Sequence, residues 1–392
     1  MEKVILKYAL QNAIKYNGKA NPGSVIGKVL SEIQVTDKNS LIKKVNEIIS
    51  QVNKLTKDQQ INKLYETAPE LLQEKKVEEH ELHDIPNIKD KIVLRLAPYP
   101  SGPLHIGNAR TYILNDYYTK RYKGKLLLVI DDTIGSEEKD ISKDAYSLIP
   151  EGLQWLDIHF DKNIIYKSDR LEIYYKYAED IIKKDLAYVC ECSQETLREN
   201  RSKGIACNCR SRSIEDNLEL WQRMFSSKEG KYTLRIKTDI SHPNPAFRDR
   251  VLFRISNREH PRTHKKYRVW PLLEFSWAID DHLLNITHVI RGKELMMESE
   301  MEKFIWDIFG WEHLTLIHTG LLQLEGVKLS KSKSKKEVLS GKYFGWDDPR
   351  TWSLQSLKRR GILPEAIKKF CLSFGLNQNE VTVPIENLYH EN

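Results

Sequence analysis

Residues 92–130 hold the run Ile92-Val93-Leu94-Arg95-Leu96-Ala97, the turn Pro98-Tyr99-Pro100-Ser101-Gly102-Pro103, and the run Leu126-Leu127-Leu128-Val129-Ile130. A helical stretch from His105 to Tyr122 separates the turn from the second run. Both runs are mainly apolar without alternation, as expected of strands covered on both faces. The prolines and glycine stop the first strand and let the helix begin. Strand, turn, helix, strand is a βαβ unit, and it predicts a parallel, doubly wound α/β sheet. The second run ends at Asp131-Asp132-Thr133, a helix is expected near 142–155, and strands are expected near 285–290 and 314–318.

The rest of the chain is organised around that unit. Residues 1–68 read as a helical module. Val4, Leu6, Ala9, Leu10, Ala13 and Ile14 form an apolar stripe broken at Asn17-Gly18-Lys19, and further helices are expected at 24–33 and 41–55. Residues 69–91, rich in Glu, Lys and Asp, read as a charged linker. The first half of the nucleotide fold occupies 92–185. A cysteine cluster and strand-like segments at 232–236 and 250–255 interrupt it, so 186–267 is expected to be an inserted domain. The second half spans 268–334, and a basic helical region spans 335–392.

At 392 residues and 40% hydrophobic content the chain can bury several cores, which excludes wholesale disorder. The net charge of +7 suits an RNA partner, but many proteins without one share it. No apolar run approaches the roughly 18–20 residues of a membrane span. The start Met1-Glu2-Lys3-Val4 lacks the build of a signal peptide. A soluble cytoplasmic protein with no membrane partner is expected.

Two short stretches carry chemistry. The first is Pro103-Leu104-His105-Ile106-Gly107-Asn108, and the second is Lys328-Leu329-Ser330-Lys331-Ser332. Alone, the second would be a solvated loop and His105 a helix cap. In this order, on a βαβ scaffold, they resemble the two ATP-binding signatures of class I aminoacyl-tRNA synthetases. The resemblance implies an ATP site of Pro98, Gly102, Pro103, His105, Gly107, Asn108, Lys328, Ser330 and Lys331, with His105, Lys328 and Lys331 catalytic and magnesium accompanying ATP. Adenylation needs ATP held bent for attack at the α-phosphorus, and needs the charge that builds on the phosphate neutralised. Gly107 would let the backbone approach the nucleotide, and the helix start beyond it favours phosphate.

Three stretches narrow the resemblance: Arg95-Leu96-Ala97-Pro98-Tyr99-Pro100-Ser101-Gly102, Asp280 through Glu294, and Gly345-Trp346-Asp347-Asp348-Pro349-Arg350. From about 92 to 385 the chain resembles the glutamyl/glutaminyl-tRNA synthetase family in its archaeal–eukaryotic branch, on the archaeal glutamyl side. That resemblance implies a class I Rossmann-type sheet with an inserted acceptor-stem domain. It also implies ligation of L-glutamate to tRNA(Glu) through glutamyl-adenylate, with tRNA(Gln) a further substrate of a non-discriminating enzyme. It assigns Arg95 to the substrate side chain, where a guanidinium can pair bidentately with a carboxylate. Asp131 is assigned to the α-ammonium, and Arg291 to the amino-acid and adenylate site. Two departures stand out. Asn108 replaces the usual histidine, and Val129-Ile130-Asp131-Asp132-Thr133-Ile134 lacks the arginine and acidic-proline ending the family often shows. The rival readings are a glutaminyl enzyme, a synthetase-like protein that activates glutamate without charging tRNA, and a zinc-dependent RNA-binding protein with a decayed nucleotide site.

Cys190-Glu191-Cys192 and Cys207-Asn208-Cys209 form C-x-C pairs fourteen residues apart. Four thiolates there would hold a structural zinc tetrahedrally, with reduced free thiols as the alternative. Arg350, Lys358, Arg359 and Arg360 are expected to meet tRNA phosphates, against the plain reading of a solvated helix end. Family members continue past this point into anticodon-reading β-barrels. The sequence has no such all-β region, so a truncated or split protein with intact adenylation and impaired tRNA selection is expected. The module at 1–68 suggests a protein or RNA partner.

Overall fold

The computed structural model describes residues 1–16, 18–33, 37–71, 82–89, 91–136, 140–326 and 331–392. They fall into two units, Met1–Glu81 and Leu82–Asn392.

The first unit is helical: α1 (Glu2–Lys15), α2 (Pro22–Glu32), α3 (Lys38–Val52) and α4 (Lys57–Thr67). The starts of α2, α3 and α4 follow from capping. Asn21 accepts from Gly23 N and has proline behind it, and Asp37 accepts from Asn39 N at 2.9 Å. Thr56 and Gln59 form a reciprocal capping box. Ile5, Leu10, Val25, Val29, Leu41, Val45 and Leu64 close a core of their own.

The second unit opens on the strand β1 (Val93–Leu96), followed by α5 (Ile106–Arg121) and β2 (Lys125–Ile130). Next come α6 (Ala145–Trp155), the short β3 (Ile165–Tyr166) and α7 (Leu171–Lys183). Strands β1, β2 and β3 pair in parallel in that order. After α7 the chain leaves for an antiparallel sheet of β4 (Ala187–Cys190), β5 (Thr233–Ile236), β6 (Val251–Ile255) and β7 (Val269–Pro271), carrying α8 (Gln194–Lys203) and α9 (Ile214–Met224). It returns through α10 (Leu273–Leu283) to β8 (His288–Gly292), α11 (Met296–Phe309) and β9 (Thr315–Thr319). β8 and β9 are parallel, and Thr287 N–H donates to the Val93 carbonyl at 2.9 Å, setting β8 beside β1. The spatial order is therefore 3-2-1-8-9, with the topological switch between β1 and β8. Ligand crevices of such sheets open there, at the carboxyl ends of the strands.

The remainder comprises β10 (Leu322–Leu324), α12 (Lys331–Leu339), α13 (Leu354–Arg359), α14 (Pro364–Leu372), β11 (Val381–Val383) and α15 (Glu386–Glu391). Leu94, Leu96, Leu104, Ile113, Leu128, Leu153, Leu357 and Phe370 share one core, joining the first βαβ unit to the C-terminal helices.

Three boundaries differ from the sequence reading. Residues 82–89 are not linker but part of the second unit: Ile85 is buried, Tyr118 OH donates to the His83 carbonyl at 2.8 Å, and His288 Nε2 meets the Pro86 carbonyl at 2.9 Å. The insertion runs on to Pro271, because β7 hydrogen-bonds to β6. The C-terminal region contains a strand, since β11 pairs in parallel with β10.

Candidate active site

Each expected amino-acid residue lies at the carboxyl end of a parallel strand. Arg95 is in β1, Asp131 follows β2, and Arg291 is in β8. All three are at most 5% exposed. The Arg95 guanidinium grips Asp281 of α10, with Nε to Oδ1 at 2.5 Å and Nη2 to Oδ2 at 2.8 Å. Burial works against the Arg95 charge, but Asp281 offsets it and the group sits above its ordinary value. Arg291 is held the same way by Glu302 of α11, at 2.8 and 3.1 Å, and by Ser299 Oγ.

The ring that organises the site is Trp277, 5% exposed in α10. Arg95 and Lys167 each stand 5.0 Å from its centroid, and Arg291 stands 5.1 Å away. Cations over an indole face are attracted by its quadrupole, by about 0.5–2 kcal/mol each. Trp277, Asp280 and Asp281 fall three and four residues apart, so one face of α10 serves the site. Asp280 accepts from Arg170 Nε at 2.7 Å and Tyr174 OH at 2.6 Å, and burial pushes its carboxyl up despite Lys167 and Arg170.

Among the described residues, three buried atoms of this cluster have no hydrogen-bond partner: Asp131 Oδ2, Arg291 Nε and Trp277 Nε1. They amount to one acceptor and two donors. An α-amino acid brings an ammonium that needs the acceptor and a carboxylate that needs the donors.

Asp132, next in chain, plays another part. Its carboxylate accepts from Ser168 N and Oγ at 2.8 and 2.7 Å and from Tyr146 OH at 3.0 Å, while His260 Nε2 meets its carbonyl at 2.8 Å. This network pins the end of β2, and with it the placement of Asp131.

The turn at 98–104 is braced on both sides. The Pro98 carbonyl accepts from Asp131 N at 3.0 Å, and the Leu104 carbonyl accepts from Leu354 N at 2.9 Å. Gly102 lies against Trp346, whose ring a Cβ there would meet at 3.0 Å. Pro103 leads into His105, which caps α5 and donates its backbone N–H to Asn108 Oδ1 at 3.4 Å. Asn108 thus has a local capping task. Lys328 and Ser330 lie outside the described residues, and Lys331 is placed only as the first residue of α12.

The four sulfurs of Cys190, Cys192, Cys207 and Cys209 lie within 4.8 Å of one another. Cys190–Cys207 and Cys192–Cys209 are 3.8 and 3.9 Å apart. Zn–S bonds of about 2.3 Å make a tetrahedron with edges of about 3.8 Å, so the set fits zinc. Arg235 Nη1 stands 3.6 Å from Cys207 Sγ, a cation suited to a thiolate-rich centre.

The expected tRNA residues lie elsewhere and differ among themselves. Arg350 clasps its own neighbour Asp348, at 2.8 and 2.7 Å, and lies 4.2 Å over Tyr343. Arg359 pairs with Asp347 at 2.9 Å, and Arg360 lies 4.3 Å over Trp352 with a hydrogen bond to Tyr389. Lys358 and Arg359 are exposed and line a cleft with Asp144, Glu151 and Asp347, so its charge is mixed.

Residues 91–389 match the family described as tRNA synthetases class I (E and Q), catalytic domain. The chain belongs to that family. Among class I synthetases for glutamate and glutamine, the curated relatives named glutamate–tRNA ligase from Methanocaldococcus jannaschii and Pyrococcus abyssi are 46% and 47% identical to it. Each alignment covers 99% of this chain, and they cover 70% and 69% of those proteins. The crystal structure of glutamate-tRNA synthetase from Elizabethkingia anophelis superposes with a TM-score of 0.56 over 77% of this chain and 70% of that one. At 22% identity that likeness bears on the fold alone.

The cluster around Trp277 includes residues that the sequence alone did not single out: Lys167, Trp277, Asp281, Ser299 and Glu302. Trp277 and Asp281 sit beside or inside a stretch singled out by resemblance, which was the available signal. For Lys167, in Tyr166-Lys167-Ser168-Asp169, there was none.

Proposed function

We propose that this chain activates L-glutamate with ATP as glutamyl-adenylate and transfers it to the 3′ end of tRNA(Glu). The observation that carries this reading is the unpaired trio of Asp131 Oδ2 and Arg291 Nε at the strand ends and Trp277 Nε1 on α10, the polar complement of an α-amino acid. Arg95 selects the side chain. Its Nε and Nη2 are held by Asp281, and in this reading Nη1 serves the γ-carboxylate.

The 98–108 turn cradles ATP, brought with magnesium. His105, Lys328 and Lys331 offset the charge that develops as the glutamate carboxylate attacks the α-phosphorus and pyrophosphate leaves. In the same reading Cys190, Cys192, Cys207 and Cys209 hold a structural zinc, and Lys358 and Arg359 contact tRNA phosphate. The archaeal glutamyl resemblance extends charging to tRNA(Gln), and the helical unit at the N-terminus takes a protein or RNA partner. The setting is cytoplasmic; no helix among the described residues is long and apolar enough to cross a membrane.

The test is ATP–pyrophosphate exchange with tRNA present, run in parallel with glutamate and glutamine. Glutamate-dependent exchange supports the reading. Exchange with glutamine alone replaces the substrate and keeps the mechanism, and no exchange with either amino acid overturns both. Charging assays with separate tRNA(Glu) and tRNA(Gln) decide the extension.

A further inference from the structure

The reaction just described leaves Lys167 without a task. It directly follows β3 and is 0% exposed. Its Nζ donates to Ser276 Oγ at 2.8 Å and stands 3.5 Å from Asp131 Oδ1. A buried ammonium loses its hydration, and a neutral side chain would fill this place without that cost. Burial pulls the lysine below its ordinary value, while Asp131 and Asp280 pull it back. Arg95 and Asp281 are the other charges that face it.

The two oxygens of Asp131 are treated unequally. Thr133 Oγ1 donates to Oδ1 at 3.3 Å, and Lys167 faces the same oxygen. Oδ2 is buried and has no partner. The carboxylate is therefore anchored through one oxygen and open through the other, with the Asp131 backbone tied to Pro98.

We propose that Lys167 is a positioning residue for amino-acid recognition, holding Asp131 by Oδ1 so that Oδ2 stays open to the substrate's α-ammonium. This rests on the glutamate-activation reading. Lys167 touches no reacting atom. It acts through Asp131, and its loss should appear in amino-acid binding and leave nucleotide binding alone.

The experiment is pyrophosphate exchange by the full chain carrying Lys167→Met, with KM for glutamate and for ATP measured separately. The expected result is a rise of about tenfold in glutamate KM, a smaller change in kcat, and an ATP KM close to that of the unmodified chain. In an Asp131→Asn background, assayed at raised glutamate, the same substitution should add less than about a twofold change, because its effect passes through Asp131. Should the methionine variant fail to fold, Lys167→Gln, shorter and uncharged, takes its place, and the same split in KM is expected. An unchanged glutamate KM, an equal rise in both KM values, or an undiminished effect in the Asp131→Asn background would each overturn the proposal. Failure of the unmodified chain to exchange with glutamate would sink the functional reading, and this inference with it. Normal exchange by the unmodified chain, with Lys167 variants indistinguishable from it, would overturn this inference alone.

Discussion

His288 shows how one residue ties the active-site strand to the segment before it. It is 3% exposed in β8, with Nε2 against the Pro86 carbonyl at 2.9 Å and Nδ1 against Thr287 Oγ1 at 2.8 Å. Burial lowers its pKa from the ordinary 6.5, with the Pro86 contact opposing. A folded-state pKa below the unfolded value means that the unfolded chain takes up the proton first as pH falls. The stabilisation by neutral His288 is thus fully present above about pH 6.5 and is lost as pH drops below that value towards the folded-state pKa. His288→Gln should flatten the fall of Tm between about pH 7 and 5.5, and an unchanged slope would assign that fall to other groups. At this scale the sequence singled out Arg95 and Arg291, which sit in stretches that resemble a family, and Asp131, which ends the second apolar run and is assigned by the same resemblance. It did not reveal Lys167 or Trp277. A lysine before Ser-Asp reads as solvated, and a tryptophan in an apolar helix reads as core; only the fold brings them to one ring.

At the scale of elements, the links between strands carry the site. Gly320 joins β9 to β10, and a Cβ there would meet the Asn379 carbonyl oxygen at 1.9 Å. Arg110 Nη1 also donates to the Gly320 carbonyl at 2.8 Å. Gly320→Ala should destabilise by about 1–3 kcal/mol in urea unfolding, because backbone must separate to admit one methyl group; a neutral result would mean that the 377–379 segment yields freely. The inserted sheet makes a second prediction. Purified protein should hold about one zinc per chain, and its removal should lower Tm, because four thiols at tetrahedral spacing stabilise the β4 end of the insertion when bound. Protein with full stability and no metal would favour free thiols. Strands β1 and β2 were legible from mainly apolar runs without alternation. The ends of the insertion were not, because Val269-Trp270-Pro271 is too short to reveal its partner β6. Nor was the packed role of 82–89, whose polar composition hides the backbone carbonyls used by Tyr118 and His288.

At the scale of the molecule, composition allowed several domains, and the observed units agree with an α/β body interrupted by an antiparallel insertion and preceded by a helical unit. The order 3-2-1-8-9 explains why residues nearly two hundred positions apart meet. Arg95 and Arg291 lie on the neighbouring strands at the switch point, and α10 returns from the insertion with Trp277 and Asp281 to pair with them. This assembly both activates glutamate and passes it to RNA. The most direct measurement is incorporation of radiolabelled glutamate into purified tRNA(Glu) by the full chain with ATP, followed by nuclease digestion to terminal nucleosides. Label is expected on the 3′-terminal adenosine and is lost on mild alkaline treatment. Glutamate-dependent pyrophosphate exchange with no label on the terminal adenosine would contradict this reading, leaving an enzyme that activates glutamate for another acceptor.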